Sequence, residues 1–302
     1  MKQAAERLKQ AVGAGIFLTD EPMSRHTTFR TGGPADIYIE PSGVEELKHV
    51  LDICREENVA YTIIGNGSNL LVGDGGYRGV LISFGKPFAQ VTIEGAQVRT
   101  GAGALLSAVA KQVLNASLTG FEFAAGIPGT IGGAVVMNAG AYGGELCQVL
   151  REATVLTPEG EVKTLPAEEL ELGYRTSCVQ KNGYIVLEAV LQLQPGNADD
   201  IRAVMDDLAS KRREKQPLEY PSAGSTFKRP EGHFAGRLIQ DAGLRGFRVG
   251  GAQVSEKHCG FVINRDHATS ADILSLCRQV QEKVKAQSGV ELELEVKLLG
   301  EF

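Results

Sequence analysis

The sequence predicts a protein of mixed helices and strands, organised in two or three domains around one glycine-rich stretch. Its 302 residues exceed one typical hydrophobic core. Amphipathic helical segments alternate with short apolar runs of strand character. Residues 121–144 hold seven glycines, too many for an ordinary helix or strand. We expect this stretch either to bring backbone close to a bound ligand or to form a tight turn beneath a sheet.

Composition and charge favour an ordinary globular protein and argue against several partners. Hydrophobic residues make up 43% and charged residues 23% of the chain, with a net charge of -6. Nucleic acid is disfavoured, because phosphate backbones bind basic surfaces. No apolar run approaches the roughly 20 residues that span a bilayer, and the N-terminal residues are too polar for a secretory signal. We expect a cytoplasmic monomer with no nucleic-acid or membrane partner.

The cysteines and histidines do not indicate a disulfide framework or a metal site. The five cysteines are odd in number and scattered, without a C-x-x-C pair. The five histidines show no H-x-x-x-H spacing. We therefore expect no bound metal, and we expect most cysteines to be small core residues.

A second glycine-rich loop precedes the central stretch. Ser42 and Glu45 predict a capping box at the start of a helix, and the β-like run Tyr61–Ile64 follows it. That run leads directly into the loop Gly65-Asn66-Gly67-Ser68-Asn69. A loop in this position lies at the carboxyl end of a strand, where α/β sheets bind ligands. Two such loops suggest one long ligand with two ends.

Known nucleotide-binding fingerprints are absent or incomplete. Gly101 and Gly103 follow a strand and open a helix, but Leu106 stands where a dinucleotide fingerprint needs its third glycine. The chain also contains no G-x-x-x-x-G-K-[ST] loop. Both observations argue against a Rossmann or P-loop site.

The second half of the chain predicts a mixed sheet followed by a more helical region. The turn at residues 195–197 predicts a domain boundary. The next helix ends in the basic run 211–215, whose charges either complement the helix C-terminus or bind a phosphate. Further on, Ser270 predicts a helix cap. Alternating acidic and apolar residues predict a strand over Glu291–Leu299, with Glu291, Glu293 and Glu295 on one face.

Six motifs, taken in order, cover nearly the whole chain. They are T-T-F-R-T-G-G-P-A (27–35), I-G-N-G-S-N-L-L-V (64–72), G-F-E-F-A-A-G-I-P-G-T-I-G-G-A-V-V-M-N-A-G-A-Y-G (120–143), Y-R-T-S (174–177), A-G-S-T-F-K-R-P (223–230) and L-E-V-K (294–297). In these motifs the chain closely resembles the UDP-N-acetylenolpyruvoylglucosamine reductase family, the MurB flavoproteins of peptidoglycan synthesis, in its shorter subtype.

The resemblance implies an α+β protein: an FAD-binding fold of the vanillyl-alcohol-oxidase (PCMH) type with a C-terminal α+β substrate domain. It implies a helix and lead-in over 1–29, an FAD-binding domain of two α+β subdomains over 30–195 and a substrate domain over 196–302, whose last strand returns to the first subdomain. We expect non-covalent FAD, because neither glycine loop contains a histidine. The implied cofactor-binding residues are Gly65, Asn66, Gly67, Ser68, Asn69, Gly126, Ile127, Pro128, Gly129, Thr130, Gly132 and Gly133.

The family's activity is the reduction of UDP-N-acetylglucosamine enolpyruvate to UDP-N-acetylmuramate, with NADPH as co-substrate. Hydride passes from flavin N5 to the methylene carbon, and a proton reaches the adjoining carbon. The matching catalytic positions are Arg175 for the carboxylate, Glu295 as a protonated hydrogen-bond donor to the enolate-like charge, and Ser225 as proton donor. Lys228 or a water would stabilise the serine alkoxide. On residue type alone, an ion pair, a turn hydroxyl and a solvated strand residue are the commoner roles.

The substrate's diphosphate requires cations and polar partners. The implied substrate-binding residues are Tyr174, Arg212, Lys215, Lys228 and Arg229. At Arg229 the chain departs from the family, where Asn is common after F-K, so a contact made by that Asn does not transfer. The shorter subtype also has no room for the insertion that covers the substrate in longer reductases.

Two alternative functions stay open on the sequence. One is a flavin oxidase or dehydrogenase of the same fold that acts on an alcohol or a lactone. The other is a catalytically silent nucleotide-binding or regulatory protein on the same scaffold. The joint presence of Arg175, Ser225 and Glu295 argues against the silent protein, which has no need of all three.

Overall fold

The computed structural model describes residues 2–302, which form two compact units. Each unit is built from three separate stretches of the chain and has its own hydrophobic core. The stretches of unit 1 are the one ending at Leu18, Tyr38–Asn66 and Val80–Lys211; those of unit 2 are Thr19–Ile37, Gly67–Gly79 and Arg212–Phe302.

Helices form where apolar residues recur at helical spacing, as at Leu47, Val50, Leu51 and Cys54, which are all buried. Within residues 2–302, no helix combines the length and the apolar character needed to cross a lipid bilayer. The helices are α1 (Lys2–Ala11), α2 (Val44–Glu56), α3 (Leu106–Asn115), α4 (Ile131–Met137), α5 (Cys178–Lys181), α6 (Ala198–Lys215), α7 (Ala235–Asp241) and α8 (Ser270–Ser288).

The strands are mostly short, and the longest have continuous buried apolar runs, as in Ile185–Gln192. The strands are β1 (Ile16–Pro22), β2 (Pro34–Glu40), β3 (Tyr61–Ile64), β4 (Leu70–Val72), β5 (Tyr77–Ser83), β6 (Val91–Glu94), β7 (Gln97–Gly101), β8 (Leu118–Thr119), β9 (Gly140–Ala141), β10 (Gly144–Glu145), β11 (Leu150–Leu156), β12 (Val162–Pro166), β13 (Ile185–Gln192), β14 (Gln194–Pro195), β15 (Arg248–Val249), β16 (Ala252–Val254), β17 (Val262–Asn264) and β18 (Lys297–Leu299).

The largest sheet belongs to unit 1 and has five antiparallel strands in the order β12-β11-β13-β7-β6. Helix α4 packs on β13, and Ile131 and Val135 of this helix are fully buried. The glycine-rich stretch is therefore anchored on the core of unit 1 through its helix. Strand β3, which leads into the first glycine loop, pairs in parallel with β5 from Tyr61 opposite Val80 to Ile64 opposite Ser83.

Unit 2 is built around α8 and a three-stranded antiparallel sheet in the order β15-β16-β17. The apolar face of α8 is buried, as the sequence predicts, and α7 packs beside it. In the same unit β18 pairs in parallel with β4, with Lys297 opposite Leu70 and Leu299 opposite Val72. The domain limits at 29/30 and 195/196, and the return of the last strand to the first subdomain, stay predictions.

The predicted capping box at Ser42 and Glu45 is wrong. Helix α2 begins at Val44 after Gly43, which has extended backbone and supplies no side-chain cap. Ser42 contacts the next glutamate instead: its hydroxyl donates to Glu46 at 2.6 Å and its N–H donates to the same carboxylate at 3.1 Å. Because the helix starts two residues after Ser42, Glu46 rather than Glu45 comes within reach.

The C-terminal elements also differ from the prediction. Thr269, not Ser270, caps α8, and its hydroxyl accepts from the N–H of Asp272 at 3.0 Å. The hydroxyl of Ser270 is buried and donates to a main-chain carbonyl of β4. The predicted strand over residues 291–299 is limited to β18 and a single bridge at Leu294. Glu291 and Glu293 are exposed while Glu295 is half-buried, and none of the three lies in a strand.

Glycine did not prevent a helix in the central stretch. Helix α4 includes both Gly132 and Gly133. Glycine at position 132 permits close packing, because an added Cβ would lie 3.0 Å from the Cβ of Ala102. In α6 the predicted apolar face is only partly buried, since Ile201 is 3% exposed but Val204 is 47% exposed. Close backbone packing therefore explains part of the glycine content.

Candidate active site

The two glycine loops contact each other within unit 1. The side-chain amide of Asn66 donates to the carbonyl oxygen of Pro128 at 2.8 Å. A Cβ added at Gly65 would lie 2.6 Å from the hydroxyl oxygen of Thr130. The sequence predicted both loops as parts of one site, and their predicted cofactor-binding residues Gly65, Asn66, Pro128 and Thr130 lie together.

These loops offer main-chain donors to a ligand. Among residues 2–302, the N–H groups of Asn66, Gly126 and Gly129 donate to no main-chain carbonyl. Asn66 and Gly126 are exposed, and Gly129 is half-buried. A flavin dinucleotide carries pyrophosphate and ring carbonyl oxygens that need such donors. The loops of unit 1 therefore fit FAD, because they offer accessible main-chain N–H groups as hydrogen-bond donors.

The glycines at the start of α4 suggest main-chain N–H groups that are available to a ligand, but these groups are already hydrogen-bonded within the protein. The N–H of Ile131 donates to the carbonyl of Ala104, and that of Gly132 donates to Ala102 at 2.8 Å. The N–H of Gly133 points to the hydroxyl of Thr130 at 3.4 Å. These N–H groups already have partners in the protein, so Gly132 and Gly133 can meet a cofactor only through their lack of side chains.

The rest of the first loop belongs to unit 2. Gly67 has a positive φ of 59°, and a Cβ there would overlap the carbonyl oxygen of His26. The side chain of Asn69 donates to the carbonyl of Glu295 at 3.1 Å. Asn69 thus joins the predicted cofactor loop to the segment that carries a predicted catalytic residue.

Thr28 is a candidate ligand contact that the sequence did not single out. Its main-chain N–H donates to the carbonyl of Gly67 at 3.3 Å. Its hydroxyl oxygen is buried and has no hydrogen-bond partner among residues 2–302. A buried hydroxyl of this kind usually has a partner, so Thr28 is able to bind a polar atom of a ligand; the hydroxyls of Thr31 and Thr100 are in the same state. The motif T-T-F-R-T-G-G-P-A contained this residue, but nothing in the motif distinguished its hydroxyl from the neighbouring one.

Arg175 lies in unit 1 on a tight turn. The turn is closed by hydrogen bonds in both directions between Gly173 and Thr176. Arg175 has a φ of 56°, which non-glycine residues rarely adopt. Its guanidinium group donates to the carbonyl of Gly140 at 3.3 Å and lies 5.1 Å from the ring centroid of Tyr174. The ring of Tyr174, 49% exposed, therefore supports the arginine from one side.

Ser225 and Glu295 come together in unit 2. Phe227 and Leu294 form an antiparallel bridge. The N–H of Glu295 donates to the carbonyl of Thr226 at 2.9 Å. Thr226 is itself buried, and its hydroxyl accepts from the N–H of Val262 at 2.9 Å. Two predicted catalytic residues, 70 positions apart by their numbers (295 − 225), thus lie on paired segments.

The predicted substrate-binding cations of this segment have partners. The Lys228 ammonium lies 2.8 Å from the carboxylate of Glu293, and this hydrogen bond lowers the pKa of Glu293. The guanidinium group of Arg229 lies 4.1 Å from the ring centroid of Phe234, whose side chain is 62% exposed. Arg229 is therefore held on an aromatic surface that a shorter polar residue could not reach.

Arg212 and Lys215 lie in the last turn of α6, on the unit 2 side of the division between units. Arg212 is half-buried and Lys215 is exposed. Cations in the last turn complement the helix dipole whatever else they bind. A role for these two residues in binding phosphate stays a prediction.

Two protein-family models match the chain, one over the glycine loops and one over the segments of Ser225 and Glu295. A family model described as "FAD binding domain" matches residues 35–166. A second model, described as "UDP-N-acetylenolpyruvoylglucosamine reductase, C-terminal domain", matches residues 216–299. The glycine loops that meet at Asn66 and Pro128 fall in the first match, and Ser225 and Glu295 fall in the second.

Full-length relatives are also similar. A UDP-N-acetylenolpyruvoylglucosamine reductase of Agathobacter rectalis is 54% identical, with 100% of this chain and 98% of that protein covered. One of Clostridium perfringens is 56% identical, with 93% and 92% covered. Among solved structures, UDP-N-acetylenolpyruvylglucosamine reductase (MurB) from Thermus caldophilus superposes with a TM-score of 0.82 and 36% identity, over 94% of this chain and 98% of that one.

Proposed function

Because the chain belongs to the UDP-N-acetylenolpyruvoylglucosamine reductase family, we propose that it uses NADPH to reduce UDP-N-acetylglucosamine enolpyruvate to UDP-N-acetylmuramate. The chain is an FAD-dependent oxidoreductase with a PCMH-type FAD-binding domain and a reductase-type C-terminal domain. The reaction belongs to peptidoglycan synthesis. The identity of the reductant and the role of each residue are the parts that we infer.

The two glycine loops would hold the cofactor. Asn66, Gly126 and Gly129 present main-chain N–H groups to its oxygens, and the buried hydroxyl of Thr28 is available in unit 2. FAD bound there would supply the hydride chemistry, through which reducing equivalents from NADPH would reach the methylene carbon of the enolpyruvyl group. The protein must then bind the substrate's carboxylate, stabilise the charge that develops beside it and supply one proton.

Arg175 is suited to binding the carboxylate. Its planar guanidinium can form a two-pronged contact with a carboxylate, which fixes the orientation of the enolpyruvyl group. The residue sits at a strained backbone position on a closed turn, and strain of this kind clusters at functional sites. Tyr174 supports the guanidinium from one face, which limits its rotation.

The pairing of the Ser225 and Glu295 segments is the observation that carries the proposal. In the reaction, the hydroxyl of Ser225 would transfer its proton to the carbon next to the carboxylate, and water would later reprotonate the oxygen. Glu295 would supply a hydrogen bond to the enolate-like oxygen before that transfer. Main-chain bonds through Thr226 pair the two segments, so the backbone positions of both residues are fixed relative to each other.

Lys228 and Arg229 are suited to the diphosphate. Lys228 already forms an exposed ion pair with Glu293, and exposed pairs of this kind contribute little to stability. A diphosphate can therefore compete for the ammonium group at small cost. Arg229, stacked on Phe234, adds a forked donor whose position is defined by the ring.

Anaerobic spectroscopy of the purified protein tests the proposal. We expect a yellow protein that bleaches with NADPH and regains its colour when UDP-N-acetylglucosamine enolpyruvate is added. UDP-N-acetylglucosamine, which lacks the double bond, is the matched control and should leave the protein bleached. Recovery of colour with air alone, at a rate that the enolpyruvyl compound does not exceed, would favour an oxidase and contradict the proposal.

A further inference from the structure

Asn138, which follows α4, is a buried amide in the same unit as Arg175. The side chain is 1% exposed, and the backbone is left-handed with a φ of 41°. Asn tolerates this backbone better than most residues, but a helix that only needed to end would more often use glycine. The choice of asparagine over glycine therefore indicates that the side chain has a role beyond ending the helix.

The amide of Asn138 makes three hydrogen bonds. Its oxygen accepts from the N–H of Cys147 at 2.9 Å. Its nitrogen donates to the carboxylate of Glu145 at 3.2 Å and to the carbonyl of Gly173 at 3.2 Å. Gly173 is the first residue of the turn that carries Arg175. The amide thus connects that turn to the end of α4 and to the segment after β9.

A second buried bond holds the other side of the turn. Ser177 is 1% exposed, and its hydroxyl donates to the carbonyl of Val136 in α4 at 2.8 Å. The Arg175 guanidinium also donates to Gly140, two residues after Asn138. The turn is therefore attached to the C-terminal end of α4 both before and after its arginine.

We propose that Asn138 is a positioning residue, which holds the Arg175 turn in the place where the guanidinium receives the substrate's carboxylate. This inference rests on the function proposed above. A side chain at this position must offer one acceptor and two donors, and only an amide offers both from one short group. Aspartate has nearly the same shape, but it would place an oxygen against the carboxylate of Glu145 and the carbonyl of Gly173.

The consequence is specific to one part of the substrate. A displaced turn would move both Tyr174 and the guanidinium that receives the carboxylate, so the loss should be larger for a ligand that has the carboxylate than for one that lacks it. Errors of about 1 Å in positioning can cost about a hundredfold in rate. The structure therefore predicts a defect that depends on the presence of the enolpyruvyl group.

Equilibrium binding to the oxidised holoenzyme, measured by calorimetry, isolates this defect. For Asn138→Asp we expect the dissociation constant of UDP-N-acetylglucosamine enolpyruvate to rise about tenfold or more. The dissociation constant of UDP-N-acetylglucosamine, which has no carboxylate, should rise by a clearly smaller factor, and the rate of bleaching by NADPH should change less than about twofold. Asn58→Asp is the matched control, because Asn58 is an exposed asparagine with a similar φ of 52°.

A double variant separates positioning from stability. Asn138→Asp combined with Glu145→Gln restores a donor and an acceptor between positions 138 and 145, but leaves the carbonyl of Gly173 facing an oxygen. We expect the double variant to recover thermal stability without recovering affinity for the enolpyruvyl compound. If the single variant does not fold, the affinities of the double variant for the two ligands are compared with those of the wild type instead.

Two outcomes are decisive and distinguishable. If the wild type binds the enolpyruvyl compound more tightly than UDP-N-acetylglucosamine and both Asn138 variants keep that preference, the inference is wrong while the proposed function stands. If the wild type itself shows no preference and no recovery of colour with the enolpyruvyl compound, the proposed function fails and the inference fails with it.

Discussion

The main-chain N–H of Glu295 donates to the carbonyl oxygen of Thr226 at 2.9 Å. This bond, with the bridge between Phe227 and Leu294, pairs the loop of Ser225 with the segment just before the last strand. Thr226 is 1% exposed and is bonded in turn to Val262. The exposed Ser225 is therefore attached to a buried neighbour, which gives its backbone a defined position.

Replacing Ser225 by alanine should separate the two halves of the reaction. We expect bleaching by NADPH to stay within about twofold of wild type, whereas recovery of colour with substrate slows about a hundredfold or more, because only the second half needs a proton donor. Stopped-flow absorbance measures both rates. Ser222→Ala, three residues earlier in the same loop, is the control, and an equal loss in both halves would instead indicate a structural role for Ser225.

Replacing Glu295 by glutamine should lower turnover more than binding. The amide keeps the size and can still donate a hydrogen bond, but it is a weaker partner for developing negative charge than a carboxyl group. We expect the rate of colour recovery to fall about tenfold to a hundredfold with little change in substrate affinity. Glu291→Gln, an exposed neighbour bonded to Lys285, should have no effect. An unchanged rate of colour recovery in Glu295→Gln would remove this residue from the mechanism.

Replacing Gly67 by alanine should reduce cofactor content as well as stability. The new Cβ would overlap the carbonyl oxygen of His26, so the loop must move. Gly95→Ala is a matched control, since Gly95 has the same φ of 59° and no atom within 4 Å of the added Cβ. We expect the control to lose about 1 kcal/mol from backbone strain alone and to keep its flavin. Flavin absorbance per protein and thermal unfolding measure the difference, and equal flavin content in both variants would argue against a cofactor loop.

Stability should fall as pH is lowered past the ordinary pKa of histidine, and His258 should account for part of the fall. Burial lowers the pKa of His258 below its usual 6.5, and its Nδ1 accepts from the N–H of Gly260 at 3.0 Å. Since the folded state disfavours the protonated ring, its contribution to stability is complete above pH 6.5 and is lost as the pH falls below that value. Unfolding by urea between about pH 7.5 and 5 should show a shallower pH dependence for His258→Gln than for wild type. Parallel curves would contradict the assignment to His258.

The sequence could predict the elements that have strong local signals. The apolar spacing of α2, α3 and α8 and the alternation of strands and turns needed no tertiary knowledge. The sequence also indicated that both glycine loops bind one long ligand, but it did not predict their direct contact through Asn66 and Pro128. The resemblance to the reductase family, which rests on six motifs in order, supplied Arg175, Ser225 and Glu295 as candidates for catalysis.

What the sequence could not predict depends on contacts between distant residues. Ser42 and Glu45 had the right spacing for a cap, but the extended Gly43 moved the helix start and made Glu46 the partner. Thr269 took the place of Ser270 because the hydroxyl of Ser270 is used in a tertiary contact with β4. The partners of Asn138 lie up to 35 positions away, and no local pattern reveals them.

The pairing of β18 with β4 has a consequence for how the enzyme is made. Asn69 and Glu295, which flank these strands, are bonded although they are 226 positions apart, and closing so long a loop is slow compared with forming local helices. During synthesis, residues 67–79 leave the ribosome long before residues 297–299, and strand β4 lacks its β18 partner until those residues have been made. We therefore expect flavin to load only onto chains that already contain β18, and a chaperone that shields the strand Leu70–Val72 would raise the yield of holoenzyme.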